Sequence, residues 1–346
     1  MEVCKVKLRK ILSSLVLSVL CLSVGFASGN QENVDSEILT VYAYDSFVSE
    51  WGPGPIVVPR FEEATGIKVN LVSVGNGGEL LTKLELEKNS PKADVVIGIS
   101  HELLSKTLLS GLFLPYESPV LEEIPLNLQF DKTHSLLPFN YASYSFNYDS
   151  ESIENPPTSL EDLLDPTSKR SIIIMDPRTS SVGMGLLEWT VKVYGDDYLI
   201  WWKEVKDNIL TIADGWSSGY GLFTEGEAPL VLSYITSPVY HLMYEKSDRY
   251  KSTVFEEGNY VAIEGVGIVK SSSQQENAKK FVDFLLTDAQ LDIAVANIMY
   301  PANKSVILPP EFATIQEPKE IISLDHEVIN TSRDTWIKEW VEVMSK

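Results

Sequence analysis

Between Ile38 and Ile99 the hydrophobic period of the chain switches back and forth between that of a strand and that of a helix. Ile38-Leu39-Thr40-Val41-Tyr42-Ala43-Tyr44 is a continuous strand-length run, and Ile56 to Ala64 repeats at helical spacing before Gly66 stops it. Lys68 to Val74 alternates like a strand, and Gly77 to Lys88 carries Leu80, Leu81 and Leu84 on one helical face. Ala93 to Ile99 is a strand again. Strands separated by helices pair in parallel through right-handed crossovers, so the fold class is α/β. A second such unit follows in Ser171 to Asp176, a helix from about Ser181 to Tyr194, and Pro229 to Tyr234. Leu136 to Tyr148, long, aromatic and strand-like, suits a segment passing from one lobe to another.

The N-terminus bears on where the chain works. Lys5, Lys7, Arg9 and Lys10 precede an apolar run from Ile11 to Phe26 that is short for a membrane span, and Gly25-Phe26-Ala27 offers a small-residue cleavage site. The expectation is a secretory signal over residues 1–27, cut after Ala27, and hence a periplasmic location. Lipidation at Cys21 is the alternative, disfavoured by the bulk of Leu20. Cleavage removes Cys4 and Cys21, the chain's two cysteines, so disulfide and thiolate chemistry leave with it. The 28 basic residues lose four and the 49 acidic residues lose one, leaving a formal charge of −24. That balance opposes nucleic acid and anionic membranes, and is compatible both with cationic ligands and with plain solubility. About 320 residues remain, more than one core usually covers, so two lobes are expected.

Ligands in open α/β sheets sit at the carboxyl ends of strands. There the sequence places Tyr44 and Asp45, the stretch Asp176 to Gly185, and Tyr234 to Tyr240. In "DPRTSSVGMG", Pro177 stops a strand and Ser180 and Ser181 can open a helix whose amides suit a phosphate or carboxylate; an ordinary N-cap explains the same residues. Trp216, Tyr220, Tyr234 and Tyr240 are bracketed by glycine, serine and proline. Such rings, with carboxylates nearby, are what recognition of an organic cation requires, and packing of a second core is the alternative.

The blocks "YAYDSFVSEWGPGP", "ADVVIGI", "DPRTSSVGMGLLEW", "VYGDD", "DGWSSGYGLFTEGE", "LVLSYITSPVYH" and "MYPANKSVILP", in this order from about Thr40 to Trp340, resemble the thiamine-binding periplasmic proteins of bacterial ABC transporters. The resemblance implies a type II periplasmic-binding-protein fold: two α/β lobes, with a ligand cleft between them that closes over thiamine or its phosphates. It implies no catalysis, no cofactor beyond the transported ligand, a membrane permease as partner and a monomeric protein. Tyr44 and Asp45 fall beside the ligand's rings with Trp51 nearby. Ser180 and Ser181 meet the hydroxyethyl or phosphate tail, and Trp216, Tyr234 and Tyr240 supply the second lobe's contacts. Ile298 stands where the family usually carries a tryptophan, before Met-Tyr-Pro, and is expected to face the cleft opposite Tyr44 or Tyr240.

The lobes are expected to comprise 38–137 with 263–300, and 138–262 with 301–346. Leu324 to Ser345 reads as an amphipathic helix docked on a lobe. A binding protein of the same fold for a polyamine or ferric iron is the alternative function; Tyr234 and Tyr240 superficially match the paired tyrosines of ferric binders, whereas a stacked tryptophan does not suit a hard metal. His101, His134, His241 and His326 lie in no metal-ligand spacing and beside no nucleophile motif, and are read as surface or partly satisfied side chains.

Overall fold

The computed structural model describes residues 38–345. The signal segment, with its cleavage after Ala27 and with Cys21, lies outside the described residues. Short apolar runs become the inner strands. β1 (Leu39–Ala43) lies between β2 (Val69–Ser73) and β3 (Val95–Ser100), parallel to both, with Val41 opposite Leu71 on one side and Val95 on the other. The crossovers are the helices Gly54–Thr65 and Gly77–Leu86. Gly66, at φ 74°, ends the first in the left-handed conformation that glycine adopts without penalty. A capping box of Asn76 and Glu79 starts the second.

β4 (Phe113–Leu114) is a short edge piece, and β5 (Leu137–Asp149) runs for 13 residues. Then β6 (Ile172–Met175) lies parallel to both β7 (Ile209–Ala213) and β8 (Leu230–Tyr234), with the helices Ser181–Tyr194 and Trp216–Thr224 among the connections. β9 (Tyr250–Ser252) pairs with β5, and β10 (Asn259–Val269) runs antiparallel to both β3 and β5. β11 (Tyr300–Pro301) adds to β5 and β12 (Ile321–Ile322) to β10. The main path is therefore β2-β1-β3-β10-β5-β8-β6-β7.

Two large hydrophobic cores hang on this path. One gathers Val41, Phe47, Phe61, Ile97, Phe139 and Phe281; the other gathers Tyr144, Ile173, Trp189, Trp202, Val231 and Trp340. The C-terminal helix His326–Met344 belongs to the second core, where Trp340 meets Trp202 edge to face at 5.7 Å. β5 and β10 serve both: Phe139 and Ile263 enter the first core, Tyr144 and Tyr260 the second. Their ladder pairs Val261 with Ser143 and Glu264 with Asn140, and its register slips between Glu264 and Gly265. Such an irregularity bends a strand and re-aims its side chains, here at the position of a lone carboxylate.

Candidate ligand-binding site

The parallel strands of both units send their carboxyl ends toward one cavity of about 280 Å³. Tyr44, Asp45 and Ser46 follow β1, with Trp51 beyond. Ser180 and Ser181 open the helix after β6, Trp216 opens the helix after β7, and Tyr234 ends β8, with Ser237 and Tyr240 in the next turn. Glu264 comes from β10, and Asn297 and Ile298 from the end of the helix Gln290–Asn297. All nine residues singled out in the sequence, Tyr44, Asp45, Trp51, Ser180, Ser181, Trp216, Tyr234, Tyr240 and Ile298, line this cavity. Ile298 also packs with Val239 and Phe312 in a small satellite cluster.

One wall is aromatic. Trp216 stacks on Tyr220 with ring centroids 5.0 Å apart and 21° between planes, and lies tilted against Tyr234 at 6.4 Å. Its indole nitrogen donates to Ser233 Oγ at 2.8 Å, and Ser233 shares a 2.8 Å hydroxyl contact with Ser237. Trp216 is thus held in place before any ligand arrives. Tyr234 is backed by Tyr144 at 5.5 Å, and Trp51, largely exposed, reaches to 6.4 Å from Trp216. The Tyr220 hydroxyl meets His241 Nε2 at 3.0 Å, and His241 Nδ1 lies 2.7 Å from Glu245.

Another part of the lining is polar. Tyr44 donates its hydroxyl to Glu264 Oε2 at 3.0 Å, while Asn297 Nδ2 donates to the Tyr44 oxygen at 2.8 Å. The ring of Tyr44 rests on Gly98, where a Cβ would lie 2.0 Å from it, so only glycine leaves room in β3. Burial pushes the Tyr44 phenol well above its ordinary range, with the Glu264 charge adding to the effect. Burial likewise raises the Glu264 carboxyl to about 7, with Glu102 reinforcing the shift. Asp45 is exposed at the cavity rim and accepts from Ser46 N at 2.7 Å. Ser180 is buried as N-cap, accepting weakly from Gly183 N at 3.4 Å. The amides at the start of this helix have no partner one turn back. No lysine or arginine is among the residues lining the cavity.

Glu264, Asn297, Asn76 and Ser237 line the cavity without having been singled out. For Glu264 a signal existed: it is the single charge in the buried strand sequence NYVAIEGVGIV. Of the two readings of the histidines, as surface or as partly satisfied side chains, the surface one does not hold at His101 and His241, which are 2% and 1% exposed. Both are compatible with burial because a carboxylate sits on each Nδ1, at 3.1 Å from Glu102 and 2.7 Å from Glu245.

The profile of bacterial extracellular solute-binding proteins matches residues 90–325. The chain is 38% identical over 340 residues to the thiamine-binding periplasmic protein of Brucella abortus, covering 97% of this chain and 100% of that one. The chain belongs to this solute-binding family. The thiamine-binding periplasmic protein of Escherichia coli is 38% identical over 336 residues, covering 96% and 98%. A solved structure of a periplasmic thiamin-binding protein superposes with a TM-score of 0.85 at 38% identity, over 89% of this chain and 96% of that one. The solute-binding protein described here therefore has the periplasmic-binding-protein fold. Like these relatives it is a binding protein and not an enzyme.

Proposed function

We propose that this chain captures thiamine and its phosphate esters outside the cytoplasm and delivers them to the membrane permease of an ABC transporter. The observation that carries this reading is the make-up of the cavity wall: six large aromatic side chains and two carboxylates, with no basic side chain among the lining residues. A thiazolium keeps its positive charge at every pH, so ring faces and carboxylates hold it without proton transfer to the ligand, and each well-placed ring contributes about 0.5 to 2 kcal/mol. Trp216, Tyr234 and Tyr240 would offer the faces. Tyr44, Asp45 and Trp51 would close the other side of the ring system, and the amides behind Ser180 and Ser181 would take the hydroxyethyl or phosphate tail.

In this reading the lobes are 38–137 with 263–300 and 138–262 with 301–346, and they close over the ligand while the protein acts as a monomer. Nucleic acid is no partner, in keeping with the charge of the chain. The ferric alternative fares worse because a hard-metal site wants oxygen ligands without a stacked tryptophan, and Trp216 lies against Tyr234 at 6.4 Å. The names and identities of the relatives support thiamine over a polyamine.

Thiamine is expected to quench tryptophan fluorescence, and spermidine and ferric citrate to leave it unchanged. Trp216→Ala should weaken thiamine by about 1 to 3 kcal/mol through lost stacking and area. An unchanged affinity would remove Trp216 from the site. Native mass spectrometry of protein taken from its producing cell supplies the independent check, since iron as the bound species would overturn the reading.

A further inference from the structure

Glu264 sits at the slip in register between the two strands that serve both cores, and it is part of the cavity wall. Among the described residues, none of the groups that act on it or line the cavity with it supplies a neutralising charge. From β1 comes the Tyr44 hydroxyl, donated at 3.0 Å, itself bonded by Asn297 from the Gln290–Asn297 helix. From β5 comes Asn140, directly opposite in the ladder, and from β3 comes Ser100, opposite on the other side. Tyr144 on β5 and Tyr234 on β8 feel its charge, as does Glu102, which repels it. His101, the nearest ionisable base in the sequence around β3, is engaged with Glu102 at 3.1 Å. A carboxylate placed this way lacks a counter-ion until a cation enters the cavity.

Resting on the thiamine reading, we propose that Glu264 is the counter-ion of the cationic ligand, and that binding exchanges the proton of the Glu264 carboxyl for the ligand's fixed charge. The balance is simple: the carboxylic acid loses its proton to solvent, the carboxylate pairs with the entering cation, and no bond of the ligand changes. Dissociation runs the same steps backward, so acid favours release. The elevation of the free carboxyl to about 7 places this exchange in the neutral range. The sign follows from linkage: the bound state holds fewer protons, so affinity rises with pH until the free carboxyl is ionised. Asp45 is the other carboxylate lining the cavity, exposed at its rim, and serves as the comparison in the test.

The test is isothermal titration of the full mature chain with thiamine at pH 6, 7 and 8, in pairs of buffers with different ionisation enthalpies, for wild type, Glu264→Gln and Asp45→Asn. Wild type should release close to one proton per ligand at pH 6 and little at pH 8, and its affinity should rise about tenfold over that span. Glu264→Gln, which keeps an acceptor for Tyr44, should abolish the proton release, flatten the pH profile and bind about ten- to a hundredfold more weakly at pH 8. A side chain needed only for packing would lower affinity equally at all three pH values. Thiamine binding without proton release in wild type overturns the proposal and leaves the ligand reading intact. The proposal fails in the same way if Asp45→Asn, and not Glu264→Gln, removes the release. An absence of thiamine binding at every pH overturns both.

Discussion

Ile298 holds a backbone conformation of φ 52° and ψ 50°, directly after the last residue of the helix Gln290–Asn297. The left-handed region costs an L-residue about 1 to 2 kcal/mol, more when the side chain branches at Cβ. Its side chain is 5% exposed, packed with Val239 and Phe312, and burying an isoleucine gains about 1.5 to 3 kcal/mol. Burial therefore offsets the backbone cost and fixes this residue at the cavity edge. Isoleucine gives a cation apolar contact but no π-face. Ile298→Trp is expected to tighten thiamine binding by up to about tenfold, provided the cavity takes the ring, and calorimetry on the folded variant checks it. Untouched affinity would mean that another side chain already closes the cage, whereas lost binding would mean that the pocket is shaped around the smaller residue. The sequence marked Ile298 as a departure from the family pattern, but not its backbone, because a helix usually advertises a left-handed end with glycine or asparagine. The lone charge of Glu264 was visible in its apolar stretch, but its role depends on which strands flank it, and that pairing is not written locally.

The helix Ser181–Tyr194 has the bounds its sequence suggests, with Ser180 as cap and Gly195 beyond the last turn. The cap bond to Gly183 is long, at 3.4 Å, so it satisfies the end poorly and leaves the first amides able to meet an anion. Replacing Ser180 and Ser181 together with alanine is expected to weaken thiamine phosphate more than thiamine, because the anion alone draws on charge-assisted bonds there. Competition titrations with both ligands measure the difference, and equal losses would reduce the serines to capping. The α/β alternation was legible because β1, β2, β3, β6 and β8 each follow an apolar period cleanly. β7 and β10 were not picked out. The β7 sequence is five residues with no turn glycine in front, and β10 is interrupted by Glu264, Gly265 and Gly267. Those glycines answer to tertiary neighbours: a Cβ at Gly265 would lie 2.9 Å from the Ile99 carbonyl, and one at Gly267 2.6 Å from Phe113. Packing overrode the strand pattern there.

Where the two cores and the C-terminal helix meet, five ionisable side chains are gathered that the sequence scattered over more than 200 positions. His101 and Glu102 follow β3, Glu188 lies on the Ser181–Tyr194 helix, Tyr260 on β10, and His326 at the head of the C-terminal helix. Glu188 is fully buried and accepts the Tyr260 hydroxyl at 2.9 Å; the His101 and His326 rings are 6.0 Å apart. Burial, and then the Glu102 charge, raise Glu188 from the usual 4.5 to about 8. Burial pushes His101 down, but its bond to Glu102 and that charge outweigh it, and the net shift is upward. Glu102 is shifted downward: burial opposes this, and the His101 bond and charge prevail. The signs then combine. Between about pH 4.5 and 8 the folded protein keeps a proton on Glu188 that the unfolded chain gives up, so stability falls as pH rises. The His101 contribution is complete below its unfolded value near 6.5 and fades as pH rises through its folded value, and Glu264 acts in the same direction up to about 7. Glu102 contributes stability above its unfolded value and loses it only on acidification, below this window. His326, held below its usual value by burial and then by the His101 charge, opposes this up to its unfolded value near 6.5, but three groups act the other way, and the unliganded protein is expected to melt at a lower temperature at pH 8 than at pH 6. Glu188→Gln, which keeps an acceptor for Tyr260 but cannot ionise, should make that drop smaller and raise the melting temperature at pH 8 more than at pH 6, at about 2–4 °C per kcal/mol for a chain of this order of size. Scanning calorimetry of both proteins at the two pH values decides it. An identical drop in wild type and variant would show that Glu188 ionises without cost and that the junction of the two cores is open to water.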